Sequence, residues 1–245
     1  VTYQELPVIT NAQAALAEGA TPIHPTGNIL KKSDISANQP TEAISAADLQ
    51  LCAHFQTPVI QHCHMESVTC FAYMEQPDHI VIVSSTQIPQ IVRRTVAQAL
   101  GLPWSNIRVI KPYIGGGFGN KQDVLEEPMA AFLTLKLGGI PVKVELSREE
   151  CFFASRTRHA FSIDAKLGLN KDGILTGYQL NVLSNTGAYA SHGHSIASAG
   201  ANKISYLYPR SAFGYSALTH YSNYPAAGAM RGYGAPQVAF ALECL

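Results

Sequence analysis

The sequence predicts an α+β fold, with mixed β-sheets and packed helices arranged in α/β layers. Three observations predict it. Short β-branched and aromatic runs alternate with segments of helical apolar spacing, turn residues separate them, and one pair of runs flanks a hairpin signal. Residues 1–6 read as a strand, and 11–18 contain a short helical piece. Pro22, Pro25 and Gly27 then leave the rest of 1–38 irregular. Residues 33–40 are polar and turn-rich, so 1–38 reads as a tail or linker and a domain is expected from 39 onward. Strands are expected at 49–55, 70–74, 79–83 and 107–110. Between the last two, Ile88, Ile91, Val92, Val96, Ala99 and Leu100 have helical spacing, and Gly101 stops that helix. Residues 126–136 form a helix with Pro128 in its first turn and Gly138-Gly139 as its stop. A strand follows at 142–146. The runs 160–167 and 174–183 flank Asn170-Lys171-Asp172-Gly173, a hairpin turn. Residues 192–202 are rich in Ser, Ala and Gly and read as a loop with a short helix. No internal repeat of fixed period is present.

The composition, 47% hydrophobic and 14% charged over 245 residues, supports a sizeable buried core. The 17 basic and 17 acidic residues cancel without a basic patch, which argues against a nucleic-acid partner. No apolar run approaches the ~18–20 residues of a membrane span, and no signal-peptide pattern is seen. Cys52, Cys63, Cys70, Cys151 and Cys244 form no CxxC pair; they read as reduced, mostly buried thiols of a cytoplasmic protein. The chain opens without Met and stops at 237–245 on a helix just begun, so a slice of a larger polypeptide is expected.

Two glycine-rich stretches carry the chemistry. The first is Gly115-Gly116-Gly117-Phe118-Gly119-Asn120-Lys121-Gln122 and the second Met230-Arg231-Gly232-Tyr233-Gly234-Ala235-Pro236-Gln237. Glycine allows close backbone approach to a ligand, so two such loops point to a large, oxygen-rich cofactor held by N–H groups. A Walker loop fails at Lys121, which follows Asn120 and precedes Gln122. A dinucleotide fingerprint fits at Gly115 and Gly117 but meets Asn120 at its third glycine; that reading, and a turn serving packing only, are the alternatives. Arg231, if buried, needs an anionic partner. Gln237 opens a final helix whose N-terminus suits an anion.

With Ser85-Thr86-Gln87 ahead of these two stretches, the chain resembles the molybdenum-cofactor-binding subunit of the xanthine dehydrogenase / aldehyde oxidoreductase family of molybdenum hydroxylases. The bacterial xanthine dehydrogenase type is the nearest. His64-Met65-Glu66 and Ser184-Asn185-Thr186-Gly187 are supporting matches, and the motifs are co-linear. The resemblance makes 39–245 the first molybdenum-cofactor-binding domain, truncated at its C-terminal end. It implies that Gln87 approaches an oxygen on molybdenum, and that Phe118 and Arg231 present backbone N–H groups beside the metal. Gly116, Gly117, Gly119 and Gly232 would let the cofactor approach, and Tyr233 would stack near the substrate. No side chain is expected to ligate the metal. The implied cofactor is molybdopterin, in plain or cytosine dinucleotide form. Iron–sulfur clusters and FAD are expected on partner subunits or domains, and the resemblance also implies a homo-oligomer. The reaction implied is hydroxylation of a purine-like N-heterocycle or an aldehyde, with water as the oxygen source.

Two departures bear on substrate. Purine-oxidising members carry Glu where this chain has Gln122, which cannot ionise. They also place an Arg downstream of the SN-x-G segment, where 192–199 has none. Gln122 is therefore the candidate for substrate contact and specificity, and the family's general base lies outside these residues. The contrasting reading is a non-catalytic cofactor-binding or scaffold fragment, inactive alone. Among other candidates, His62, Cys63, His64 and Glu66 offer zinc-type ligands or a hydrogen-bonded wall. His192 and His194 are loop surface or ligands for metal or substrate, and Arg93-Arg94 and Arg156/Arg158/His159 are solvated or ion-paired faces, with a face toward a partner subunit as the alternative.

Overall fold

The computed structural model describes residues 2–245. In chain order the strands are β1 (Ile29–Ala37), β2 (Leu49–Thr57), β3 (Ile60–Gln61), β4 (Thr69–Gln76), β5 (His79–Ser84), β6 (Ile107–Ile110), β7 (Val142–Glu145), β8 (Thr157–Arg158), β9 (Ala160–Leu169), β10 (Leu175–Asn185) and β11 (Ala212–His220). The helices are α1 (Ala12–Leu16), α2 (Pro40–Ser45), α3 (Pro89–Leu100), α4 (Glu127–Lys136), α5 (Arg148–Ala154), α6 (Gly193–Ile204) and α7 (Ala235–Glu243). The mixed sheets with packed helices are the α/β layering the sequence predicts. The chain forms two compact units, 2–60 with 158–245, and 61–157. It crosses between them at β3 and β8.

The larger unit is built on a five-stranded sheet in the order β1-β11-β10-β9-β2. Strands β9 and β10 form the hairpin over Asn170–Gly173, where Asn170 and Gly173 close the turn. Alternation sorts the two faces. Phe161, Ile163, Tyr178, Leu180, Phe213 and Tyr215 point into a core completed by Ile196 and Ala201 of α6 and Val238 and Ala241 of α7. On the opposite face Gly168, Gly177 and Gly214 carry no side chain, which lets α2 lie against the strands. A Cβ on Gly168 would stand 2.6 Å from Ala47, and one on Gly214 2.9 Å from Pro40.

The smaller unit is a four-stranded sheet, β6-β5-β4-β7. Helices α3 and α4 cover it through a core of Ala72, Ile80, Ile82, Val92, Val96, Ile107 and Ala131. Pro89 starts α3 and left-handed Gly101 ends it. Ser147 and Glu150 close a capping box on α5.

Several local expectations need correction. Residues 2–6 form no strand, and Val1 lies outside the described residues. The polar stretch before Pro40 is strand β1, an edge strand whose pairing with β11 overrides its turn-like composition. Residues 193–202, after the N-cap His192, belong to the full twelve-residue helix α6, whose small residues pack against α7 and the sheet. Three of the five cysteines, Cys52, Cys63 and Cys244, are exposed rather than buried. Burial pushes the thiol of Cys70 up to about 12, so it is inert.

Candidate functional site

Both motif regions arise from the same local architecture. Strands β5 and β6 are parallel neighbours joined through α3, and β10 and β11 are parallel neighbours joined through α6. Parallel pairing requires a crossover, and it brings the loops after both strands to the same end of the sheet. In the smaller unit those loops hold Ser85-Thr86-Gln87 and the first glycine stretch, followed by α4. In the larger unit they hold Thr186-Gly187 and the second glycine stretch, followed by α7.

In the smaller unit, Gln87 N–H donates to Lys121 O at 2.8 Å. Gly119 N–H donates to Gln87 Oε1 at 3.1 Å. A backbone N–H can only donate, so the atom it faces is the carboxamide oxygen. The Nε2 amide hydrogens of half-buried Gln87 are then left without a partner among the described residues. Positive φ at Gly116 (95°), Phe118 (52°) and Gly119 (109°), with Gly117 between, repeatedly changes the hand of the backbone. Such alternation turns successive N–H groups toward one side, forming an anion-binding concavity. The N–H groups of Gly116 and Gly117 make no hydrogen bond among the described residues. A Cβ on Gly117 would lie 2.4 Å from Gln87 Oε1. Gln122 sits on the 3₁₀ turn Asn120–Gln122, exposed and with no side-chain hydrogen bond among the described residues.

A buried polar layer supports this loop. Arg156 N–H donates to Asn120 Oδ1 at 2.9 Å, which fixes the amide so that Asn120 Nδ2 donates to His64 Nε2 at 2.9 Å and to Ser155 Oγ at 3.0 Å. His64 therefore carries its proton on Nδ1 and donates it to Glu66 O. Burial lowers the His64 pKa, with Lys121 and Arg148 adding to the effect, so the ring is neutral. Both its nitrogens are used, which removes it as a zinc ligand. Among the described residues no group of three His, Cys, Asp or Glu side chains could hold a metal ion.

In the larger unit, Gly232 (φ 90°), Tyr233 (48°) and Gly234 (88°) are three successive left-handed residues leading into α7. Gly234 packs where a Cβ would be 2.3 Å from Ile196 O of α6. The N–H groups of Gly232 and Gly234 have no acceptor among the described residues. Tyr233 is anchored: its hydroxyl lies 2.7 Å from His192 Nδ1 and 2.8 Å from Ser195 Oγ, and Lys203 Nζ stands over its ring at 5.7 Å. Arg231 is exposed, so the anionic partner that a buried guanidinium would need is not required. Its backbone carbonyl accepts from Arg158 at 2.8 Å. The same guanidinium also donates to Gln237 Oε1 at 3.1 Å, so Arg158 and not Arg231 is the half-buried cation of this loop. His159 is buried beside it and hydrogen-bonded to Thr186 Oγ1 at 3.3 Å; burial, then His192, hold its pKa down to about 3.

What sequence reasoning missed is the pairing of these residues: Arg158 with Arg231 O and Gln237, Lys121 with Glu66, and Tyr233 with His192 and Ser195. Their partners are distant in sequence, and only the ArgxArgHis and GlyAsnLys spacings hinted at them. Chemically, each loop offers a concave set of backbone donors, and the first adds a carboxamide donor. That arrangement suits an anionic, oxygen-rich group better than a bare cation.

The family profile described as molybdopterin cofactor-binding domain matches residues 23–245. The chain is 69% identical over its whole length to the xanthine dehydrogenase molybdenum-binding subunit of Escherichia coli O157:H7, of which it covers 33%. It is 32% identical, over 99% of its length, to the nicotinate dehydrogenase large molybdopterin subunit of Eubacterium barkeri, covering 57% of that protein. In fold it matches the aldehyde oxidoreductase from Desulfovibrio gigas with a TM-score of 0.90 at 25% identity, over 97% of this chain and 26% of that one. The chain thus spans about a third of the length of its E. coli relative. With the profile match running through both glycine stretches, the chain belongs to the molybdopterin cofactor-binding domain family.

Proposed function

We propose that this chain supplies a molybdopterin-holding part of a molybdenum hydroxylase of xanthine dehydrogenase type. The substrate class is an N-heterocycle or an aldehyde, with water as the oxygen source. Electrons would pass to iron–sulfur clusters and FAD on partner subunits or domains. The observation that carries this reading is the Gln87 carboxamide, fixed by Gly119 N–H and lying beside Gly117, whose N–H group, like that of Gly116, has no acceptor among the described residues.

The residues present fit the group. Gly117 has no room for a Cβ beside Gln87, and Gly234 none beside Ile196. Open N–H donors and a carboxamide NH₂ match the phosphate and metal-bound oxygens of molybdopterin. When bound, the molybdenum centre supplies the two-electron oxidation and the oxygen transfer. The chain's own part is to bind and orient. Gly116 and Gly117 would present their open backbone N–H groups to the cofactor, with left-handed Phe118 and Gly119 shaping the turn, and Gly232, beside Arg231, would present its open N–H group from the second loop. Gln87 Nε2–H donates to a cofactor oxygen. Tyr233, held by His192 and Ser195, offers its ring to a planar substrate, and exposed Gln122 offers a carboxamide to a ring nitrogen or carbonyl. These donors are preset by the fold, so they would need little reorganisation to stabilise negative charge on an anionic, oxygen-rich group.

The test is oxidation of a panel of xanthine, nicotinate and aromatic aldehydes by the full-length protein in ¹⁸O-labelled water. The expected product gains one ¹⁸O atom. A protein loaded with cofactor that oxidises nothing in the panel, or takes the atom from dioxygen, contradicts the proposal.

A further inference from the structure

A single carboxylate oxygen holds both ends of the first glycine loop. Glu66 Oε2 accepts from Gly115 N–H at 2.8 Å and from Lys121 Nζ at 2.6 Å. The backbone adds a reciprocal bond, Glu66 N–H to Gly115 O at 3.2 Å. The contact is close enough that a Cβ on Gly115 would lie 2.6 Å from the Cβ of Glu66. Lys121 is only 2% exposed, so its ammonium depends on this carboxylate; removing one partner of a buried pair is costly to the other. Arg148 fixes the Glu66 segment from behind by donating to His64 O at 2.6 Å and Met65 O at 3.0 Å.

The clasp reaches Gln87 by two routes. Lys121 O accepts from Gln87 N–H, and Gly119 N–H, inside the clasped loop, donates to Gln87 Oε1. Among the described residues neither Glu66 nor Lys121 accepts from the N–H groups of Gly116 and Gly117, so their part is indirect. We propose that Glu66, through Lys121, is a positioning residue that closes the cofactor loop and sets the direction in which Gln87 presents its amide hydrogens. This rests on the reading of the loop as molybdopterin-binding only for its consequence; the clasp itself is a property of the chain. The carboxylate stays ionised across neutral pH. Burial alone would raise its pKa, but the hydrogen bonds from Lys121 and Gly115 outweigh it and hold it below the usual range.

The test compares wild type with Glu66→Gln, Lys121→Met and the double variant. Two readouts are taken: amide hydrogen exchange at Gly115 and Gly119, and the side-chain ¹⁵N resonance of Gln87. Lys121→Met keeps the Gly115 bond and replaces the ammonium with an apolar group of similar length, so it remains informative if Glu66→Gln folds poorly. The expected result is at least tenfold faster exchange at Gly119 in each single variant, and a shift of the Gln87 resonance toward its solvent value. The double variant should be no worse than Glu66→Gln alone, because the two residues act as one unit. Exchange within twofold of wild type and an unmoved Gln87 resonance, in variants that fold, would overturn the proposal. Pterin fluorescence of the wild-type protein is scored separately. Its absence would remove the cofactor reading, while the exchange data still decide the clasp.

Discussion

The carboxamide oxygen of Gln87 occupies the space that a side chain on Gly117 would need, 2.4 Å from an ideal Cβ. That oxygen is the free end of a flexible side chain, so Gly117→Ala need not unfold the unit. It would push the Gln87 amide aside and break its bond to Gly119 N–H. The expected outcome is a cost of about 1–3 kcal/mol, as for overpacking generally, together with loss of the Gln87 side-chain resonance shift. Chemical denaturation and NMR of the variant check both; a wild-type Gln87 signal in Gly117→Ala would show that the packing is looser than described.

Gly234 differs in what it meets. Its φ of 88° is left-handed, and its missing Cβ faces the backbone oxygen of Ile196, which cannot swing away. Gly234→Ala should therefore cost more than Gly117→Ala, with strain of about 1–3 kcal/mol added to the clash. Unfolding midpoints measured side by side give the order directly.

Tyr233→Phe removes a hydroxyl shared by His192 and Ser195 and leaves the ring. A loss of about 1–2 kcal/mol is expected, as for one or two ordinary hydrogen bonds. If the ring faces substrate, the substrate profile of the full-length protein should broaden, because the ring is less firmly held. A stability unchanged within error would mean that water replaces the hydroxyl without penalty.

His159 gives a pH dependence. Its folded pKa is about 3 against an ordinary value of 6.5, lowered first by burial and then by His192, with Arg158 also facing it. The unfolded chain then binds more protons than the folded one between those values. Stability should fall as pH drops from 6.5 toward 3, by up to about 1.4 kcal/mol per pH unit for this one group. Urea unfolding between pH 4.5 and 7 should show a shallower slope for His159→Gln than for wild type. Equal slopes would assign the dependence to His64 and His220, whose pKa values burial also lowers.

Gln122 is exposed and has no side-chain hydrogen bond among the described residues, so Gln122→Glu should change stability by less than about 0.5 kcal/mol. If the residue faces substrate, the ratio of turnover among xanthine, nicotinate and an aldehyde should change while molybdenum content does not. A constant ratio would place substrate elsewhere.

Much of this was legible in the sequence where a local signal and a tertiary need coincided. Gly101 ends α3 and Gly138 follows α4, as local rules require. The strand Ile107–Ile110 and the hairpin over Asn170–Gly173 matched their turn chemistry. Helix α6 was underestimated because Gly193, Ser195, Ser198 and Gly200 have weak helical propensity; the packing of Ile196, Ala201 and Ile204 decides it. The glycine motifs could be read, but their support could not. Glu66 meets Lys121 across 55 positions and Arg158 meets Arg231 across 73, and no periodicity reports such pairs.

The most direct test of the account is the molybdenum and pterin content of the full-length protein, made in cells that synthesise the cofactor, for wild type and Gly117→Val. The account predicts near-stoichiometric molybdenum and pterin in wild type. It predicts little of either in a folded Gly117→Val, whose branched side chain fills the space between the loop and Gln87. Equal content in the two proteins, or none in wild type, would contradict the claim that this loop holds molybdopterin.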